Sequence, residues 1–236
     1  MTEQHCAYVF DAETTGKHQP VIIETALLPM LIVEGYPLPA AMQAEVHRWN
    51  PGKPIEAGAW ATHFIEDADV ANERPSAEFA LPTHNHYLIG HNVDYDWDVA
   101  GKPKNVCRIC TFAISKTLWP EMESHKQLAV LYTLNPGMAK QLGRYTHSAG
   151  ADVLMCAEIL RHAAIKVGGW DSWEAVWKFS EQARVPKVMP FGKHKGEPLG
   201  NLPQSYVHWA LKNLADMDEY LRQALEEVAR ARDAGV

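Results

Sequence analysis

Cysteine is scarce in this chain. Cys6, Cys107, Cys110 and Cys156 are its four among 236 residues, too few and too irregularly spaced for a disulfide framework, which predicts a reducing compartment. Long apolar runs are missing as well. Stretches such as Ala26 to Leu28 and Leu31 to Val33 are broken by proline and charge, far short of the roughly 20 residues that span a bilayer, so no membrane partner is expected. The first residues, Met1 to Cys6, carry acidic and polar groups where a secretory leader needs a basic and then an apolar stretch, and the predicted location is the cytoplasm. Basic residues are outnumbered, 22 against 29 acids, for a net charge of −7. That balance is the reverse of what a polyanion partner draws on. Carboxylates gathered to hold divalent cations would contribute negative charge of their own, however, so net charge leaves the partner undecided.

What is present favours one substantial domain with a small appendage, since 236 residues at 47% hydrophobic suffice for a real core. Strands are predicted at 7–10, at 21–28 with β-branched Val21, Ile22 and Ile23, at about 44–49, and at 86–90. Helical patterns follow near 111–119, 126–134 and 151–166. Strands first, then helices with a further strand or two, predict an α/β fold. From Gly168 the character changes to a Trp-rich stretch, a Gly- and Lys-punctuated segment and two closing helices near 203–214 and 217–232. The predicted domains are 1–168 and 187–236, with the boundary between 168 and 186.

Three clusters of acids carry the candidate chemistry. Asp11 and Glu13 close the first strand, and residues two apart on a strand share a face, so both carboxylates can reach one cation. Gly16 after Thr14 and Thr15 permits a close backbone approach and a turn. The second cluster, Gly90 to Asp96, follows a buried-looking strand and sets Asp96 in the first turn of a helix, where α/β sheets place ligands. Helix capping by Asn92 or Asp94 is the alternative reading of that segment. In the third, His147 precedes by five residues Asp152, which opens a helix and shares a face with Cys156, Ile159 and Ala163. A carboxylate at the end of an apolar stripe requires a partner.

Taken in order, Asp-x-Glu, His-Asn-x-x-Tyr-Asp and His-x4-Asp resemble the DEDDh (DnaQ-like) 3′-5′ exonuclease superfamily across residues 7–165. The segments Ile23-Glu24, Trp60 to Ile65 and Cys110-Thr111 agree with it. The sibling class with a third-motif tyrosine is disfavoured, because Tyr145 stands seven residues before Asp152. The resemblance implies an RNase H-like exonuclease fold, a mixed central sheet flanked by helices, and hydrolysis of DNA from 3′ ends to nucleoside 5′-monophosphates. It also implies two Mg²⁺ ions, with Mn²⁺ able to substitute. Asp11 would bridge them, Glu13 and Asp152 would hold the ion carrying the attacking water, and Asp96 would support the other. His147 would take that water's proton. Thr14, Thr15 and Gly16 would meet the terminal sugar, with Asn92 also toward substrate. His63 would either contact substrate or be a satisfied structural histidine. Val93, where the family commonly has Ala, and the extra carboxylate Asp94 depart from the pattern and leave open which of Asp94 and Asp96 serves the metals. A 3′-to-5′ exoribonuclease and a polymerase-associated proofreading subunit share the same residues.

The remaining features are weaker. Cys107 and Cys110 have CxxC spacing but no second ligand pair at zinc-site spacing, and a core strand is the expected setting. Trp170, Trp173 and Trp177 have the i, i+3, i+7 spacing of a core stripe. Residues 187–214 resemble the small C-terminal module of exodeoxyribonuclease X-like proteins, the closest match for the whole layout. Within them, Lys187 to Lys195 carries three lysines, no acid and Phe191, so Lys193 and Lys195 either contact nucleic acid or belong to a solvated turn.

Overall fold

The computed structural model describes residues 6–215 and 217–233, so the stretch from Met1 weighed against a secretory leader lies outside the described residues. The chain forms two compact units, one running to Ser180 and the other from Glu181. In the first, strands β1 (Ala7–Thr14), β2 (Ile22–Val33), β3 (Tyr36–Pro39), β4 (Glu45–Arg48), β5 (Tyr87–Gly90) and β6 (Cys107–Cys110) build a mixed sheet. Among the described residues its order is β3-β2-β1-β5-β6, with β4 also on β2. β1 pairs antiparallel with β2 and parallel with β5. β1 is thus the strand where the sheet changes direction, a place where α/β sheets leave a crevice at the carboxyl ends of their strands.

Two elements escape the sequence pattern because of proline. β2 runs through Pro29, between the stretch paired with β4 (Glu24 to Leu27) and the stretch paired with β3 (Met30 to Val33). The missing N–H therefore falls in the gap between two partners, and the Pro29 carbonyl accepts from Ala40 N–H at 2.8 Å. β3 carries prolines at 37 and 39. It is joined to β2 by Glu34-Gly35, both with positive φ (51° and 88°), the geometry of a two-residue hairpin turn.

Helices α1 (Ala57–His63), α2 (Asp67–Val70) and α3 (Asp94–Val99) precede α4 (Thr111–Leu118), α5 (Gln127–Leu134), α6 (Pro136–Leu142) and α7 (Ala149–Val167). α6 starts where Asn135 Oδ1 accepts from Met138 N–H at 3.1 Å and Pro136 needs no donor. α7 packs its Val153, Cys156, Ala157 and Leu160 on Ala7, Val9, Ala26, Leu28 and Met30 of the sheet. Ala7 and Val9 share a face with Asp11 and Glu13, so the core-facing rows of β1 and α7 both end in acids. Among the described residues no helix is long and apolar enough to cross a membrane.

The first core extends beyond Gly168. Buried Trp170, Trp173 and Val176 join it, the latter two from α8 (Trp173–Arg184), as expected for a core stripe. The second unit has its own core, in which Met189, Leu199, Leu202, Val207 and Ala210 meet Leu221, Ala224 and Leu225. The helices here are α9 (Gln204–Asn213) and α10 (Glu219–Asp233).

Two truncations test this division. A chain ending at Arg184 should unfold cooperatively in urea, whereas one ending at Gly168 should lose more than the roughly 3–5 kcal/mol that removal of one large buried aromatic costs. Equal urea midpoints would show that the tryptophans contribute nothing to the first core.

Candidate functional site

Strand, corner and helix bring four carboxylates to one place. The β1–β5 register pairs Val9 with Ile89, so β5 ends beside the middle of β1 and the chain turns into α3 next to Asp11 and Ala12. Asp96, in the first turn of α3, is only 6% exposed. Its Oδ1 accepts from Ala12 N–H at 3.2 Å, on the backbone between Asp11 and Glu13. Asp94, by contrast, pairs with Arg108, whose guanidinium lies 4.5 Å from the Trp97 ring centroid. The N-cap position of α3 is Val93, which makes no side-chain cap, Asn92 is an exposed residue with φ of 76°, and Asp94 and Asp96 both lie in the first turn.

From the other side comes the loop before α7. His147 has a positive φ of 63°, uncommon for a residue other than glycine, and its N–H donates to Asp152 Oδ2 at 3.2 Å. That conformation leaves the imidazole exposed, with a ring nitrogen, a Glu13 oxygen and an Asp152 oxygen all within 4.8 Å of one another.

The acids show the strain of their mutual proximity. Burial, followed by the charges of Asp96, Asp152, Glu13 and Glu24, holds Asp11 well above the usual carboxylate range. Glu13 rises to about 8 through burial and the Asp152 and Glu24 charges. Asp96 is pushed up to about 8, mainly by burial, with the Ala12 N–H opposing. Burial raises Asp152 to about 6 against the His147 N–H. Such a group is electrostatically incomplete without positive charge, and its hard oxygen donors suit Mg²⁺ or Mn²⁺.

Glu24, which the sequence reading touched only as part of Ile23-Glu24, proves central to the scaffold. It stands directly opposite Glu13 in the β1–β2 ladder, a like-charge pairing that is unfavourable by itself. Its buried carboxylate is satisfied elsewhere: Oε1 accepts from Ala149 N–H at 3.2 Å and Oε2 from Arg48 Nε at 3.3 Å. It thus serves the α7 N-terminus in place of Ser148, which makes no side-chain cap. The only sequence signal for this role was an acid inside an otherwise apolar strand.

The predicted substrate-side residues divide. Thr14 Oγ1 and Tyr95 Oη are hydrogen-bonded at 2.7 Å, tying β1 to α3. Thr15 Oγ1 accepts from Val21 N–H, closing the loop between β1 and β2. Gly16 has φ of 148°, and a Cβ there would meet the Glu56 side chain at 2.2 Å, so its open face is covered by a carboxylate. Of the two readings of His63, the geometry matches the structural one: Nδ1 accepts from Ile65 N–H at 3.0 Å, leaving Nε2–H to donate to Thr14 O at 3.3 Å. Burial lowers its pKa, in keeping with a neutral ring. Lys193 and Lys195 lie in the second unit, both exposed.

The raised carboxylates fix a pH signature. A carboxyl whose folded pKa exceeds its unfolded value stabilises the fold at low pH, and that contribution is lost as pH rises from about 4 to about 8. The lowered pKa values of His63 and His91 act oppositely, on the acid side. Asp96→Asn, which can keep the Ala12 bond, isolates the carboxylate effect. Without metal, the variant should melt above wild type by a margin that widens toward pH 8, about 2–4 °C per kcal/mol for a chain of this size. With Mg²⁺ the order should reverse. A constant margin across pH in calorimetry would overturn the assignment.

Comparison with known proteins adds three findings. A family model described as "Putative quorum-sensing-regulated virulence factor" matches residues 182–214, a segment within the second unit. No curated protein matches the chain. Among solved structures, the one titled "Exonuclease X in complex with 5' overhanging duplex DNA" is 23% identical with a TM-score of 0.55, covering 74% of this chain and 99% of its own. At that identity the likeness speaks to architecture, and it establishes that the mixed sheet and its flanking helices have an RNase H-like exonuclease fold.

Proposed function

We propose that this chain is a metal-dependent 3′-to-5′ exonuclease that hydrolyses DNA to nucleoside 5′-monophosphates. The observation that carries the reading is the convergence of Asp11, Glu13, Asp96 and Asp152 from three distant segments, with His147 within ligand reach of Glu13 and Asp152. A cluster of acids that raise one another's pKa opposes the fold it sits in, and such clusters mark functional sites. The exonuclease fold supports the same reading, and the DNA in that neighbour's title makes DNA the first substrate to test.

The four carboxylates would hold the divalent cations. When bound, these would neutralise charge on the phosphate and lower the pKa of the attacking water. Everything else falls to side chains of the chain itself. His147, exposed beside Glu13 and Asp152, would accept the water's proton and pass it to solvent. Asp152 positions it through the His147 N–H. Thr14, held between Tyr95 and the His63 ring, fixes the β1 end against which a terminal sugar would rest. Asp96 sets its own carboxylate by binding Ala12, so a displacement of α3 would be felt at Asp11 and Glu13 together.

The activity test uses 3′-labelled DNA with an RNA of the same sequence as comparator. Cleavage should stop in chelator, return with Mg²⁺ or Mn²⁺, release mononucleotides, and be abolished by Asp11→Asn or Asp96→Asn. Asp94→Asn weakens the half-exposed ion pair with Arg108 and should leave turnover nearly unchanged. Full cleavage in chelator, or equal effects at 94 and 96, would refute the assignment.

His147 has its own test. Its replacement by Ala should slow single-turnover cleavage about 10²- to 10⁴-fold and flatten the rising limb of the pH–rate profile. The Mg²⁺-induced rise in melting temperature should persist. An unchanged pH profile would place the proton acceptor elsewhere.

A further inference from the structure

The second unit carries an aromatic groove of about 640 Å³, within the range of small-ligand sites. One wall is the turn Phe191 to His194 and the other is the exposed side of α9, with Tyr206 and Trp209. Phe191 is 44% and Trp209 50% exposed, although the core of this unit lies immediately beneath and takes Val207 and Ala210 from the same helix. Tyr206 and Trp209 stack at 5.7 Å between centroids with 28° between their planes. The His194 ring lies 4.3 Å from Tyr206, and its Nδ1 is hydrogen-bonded to Glu197. The buried Nε2 of His194 has no hydrogen-bond partner among the described residues. Lys193 Nζ sits 5.3 Å from the Tyr206 centroid.

Charge is distributed to match. Between 182 and 214 stand Arg184, Lys187, Lys193, Lys195 and Lys212 against the single acid Glu197, in a chain whose net charge is −7. Flat rings offered to solvent with a cation beside them suit a ligand with an aromatic face and a nearby anion. An unpaired nucleotide has both.

We infer that the groove between the 191–194 turn and α9 is a binding site for single-stranded nucleic acid, with a base stacked on Trp209 and Tyr206 and the neighbouring phosphates held by Lys193 and Lys195. Nucleic acid is favoured over a peptide because of the basic segment and because of the nuclease reading of the first unit, on which the inference in part rests. The ring of Tyr206 is backed by His194 and flanked by Lys193, so stacking and phosphate binding would share one wall. Since every base has a π face, the site would discriminate single strands from duplex rather than one sequence from another.

The test uses the full chain carrying Asp11→Asn, in chelator, with a fluorescent oligothymidine, its abasic counterpart and an unlabelled duplex as probes. Trp209→Ala and Phe191→Ala should each weaken oligothymidine binding about 5- to 150-fold, the span of base–aromatic stacking. Trp209→Phe should keep most of the affinity. The plot of log K against log salt should shift for Trp209→Ala without changing slope. Lys193→Gln with Lys195→Gln should instead flatten the slope, by about 0.7 per lost phosphate contact. The abasic strand should bind wild type more weakly and be indifferent to Trp209→Ala. Equal affinity for the abasic and normal strands, or affinity unchanged in both aromatic variants, would overturn the inference; the latter would leave the groove to a peptide. The nuclease reading is scored separately, by Mg²⁺-dependent hydrolysis of the p-nitrophenyl ester of thymidine 5′-monophosphate in chains with Asp11 intact. That hydrolysis should be the same in the wild type and the aromatic variants. A chain that cleaves the ester yet fails the binding tests loses this site and keeps its activity. One that binds through Trp209 without cleaving the ester keeps the site and loses the nuclease reading.

Discussion

Repulsion among Asp11, Glu13, Asp96 and Asp152 is the constraint to which the rest of the first unit answers. Burial and like charge push their pKa values up together, so without positive charge the cluster works against the fold that builds it. Acids left to themselves on flexible segments would swing apart into water. Here backbone hydrogen bonds oppose that motion: Ala12 N–H holds Asp96 and His147 N–H holds Asp152, while Asp11 and Glu13 are fixed by the β1 ladder itself. A backbone donor supplies direction without supplying a full positive charge. The acids are therefore oriented but not neutralised, which is the state a cation site requires.

Glu24 shows how far that logic extends. A fifth acid opposite Glu13 would seem to worsen the crowding, yet it reaches past the cluster to the first turn of α7 and to Arg48. One side chain thus couples β2, β4 and the helix that carries Asp152. His63 plays a comparable part by joining α1 to the Thr14 carbonyl, and Tyr95 by joining α3 to the Thr14 hydroxyl. The end of β1 is consequently held by residues of β2, α1 and α3, each from a different part of the sequence.

Much of this was legible in the sequence, for physical reasons that differ from element to element. Asp-x-Glu reads as a shared face because strand periodicity is two, and Asp152 reads as the end of a stripe because helix periodicity is near four. The start of α6 was equally written, in Asn135-Pro136, but was passed over. By contrast, the apolar pattern of β1 stops at Phe10 with the acids at its end, and the strand runs on to Thr14 because β2 pairs with it. β3 and the passage of β2 through Pro29 depend on which neighbour lies alongside, which no local pattern records. The pairing of Asp94 with Arg108, fourteen residues away, is likewise recorded in no local pattern.

The net charge of −7 says nothing about a partner when it is treated as a property of the whole chain. Its distribution along the chain is uneven. The first unit gathers acids where a cation would be held, and the segment 182–214 carries five basic residues to one acid beside two exposed aromatic rings. Averaging the two erases the signal that each carries. On the proposed reading, chemistry that needs carboxylates and binding that needs lysines could share one acidic chain because they would occupy different units of it, each with its own core.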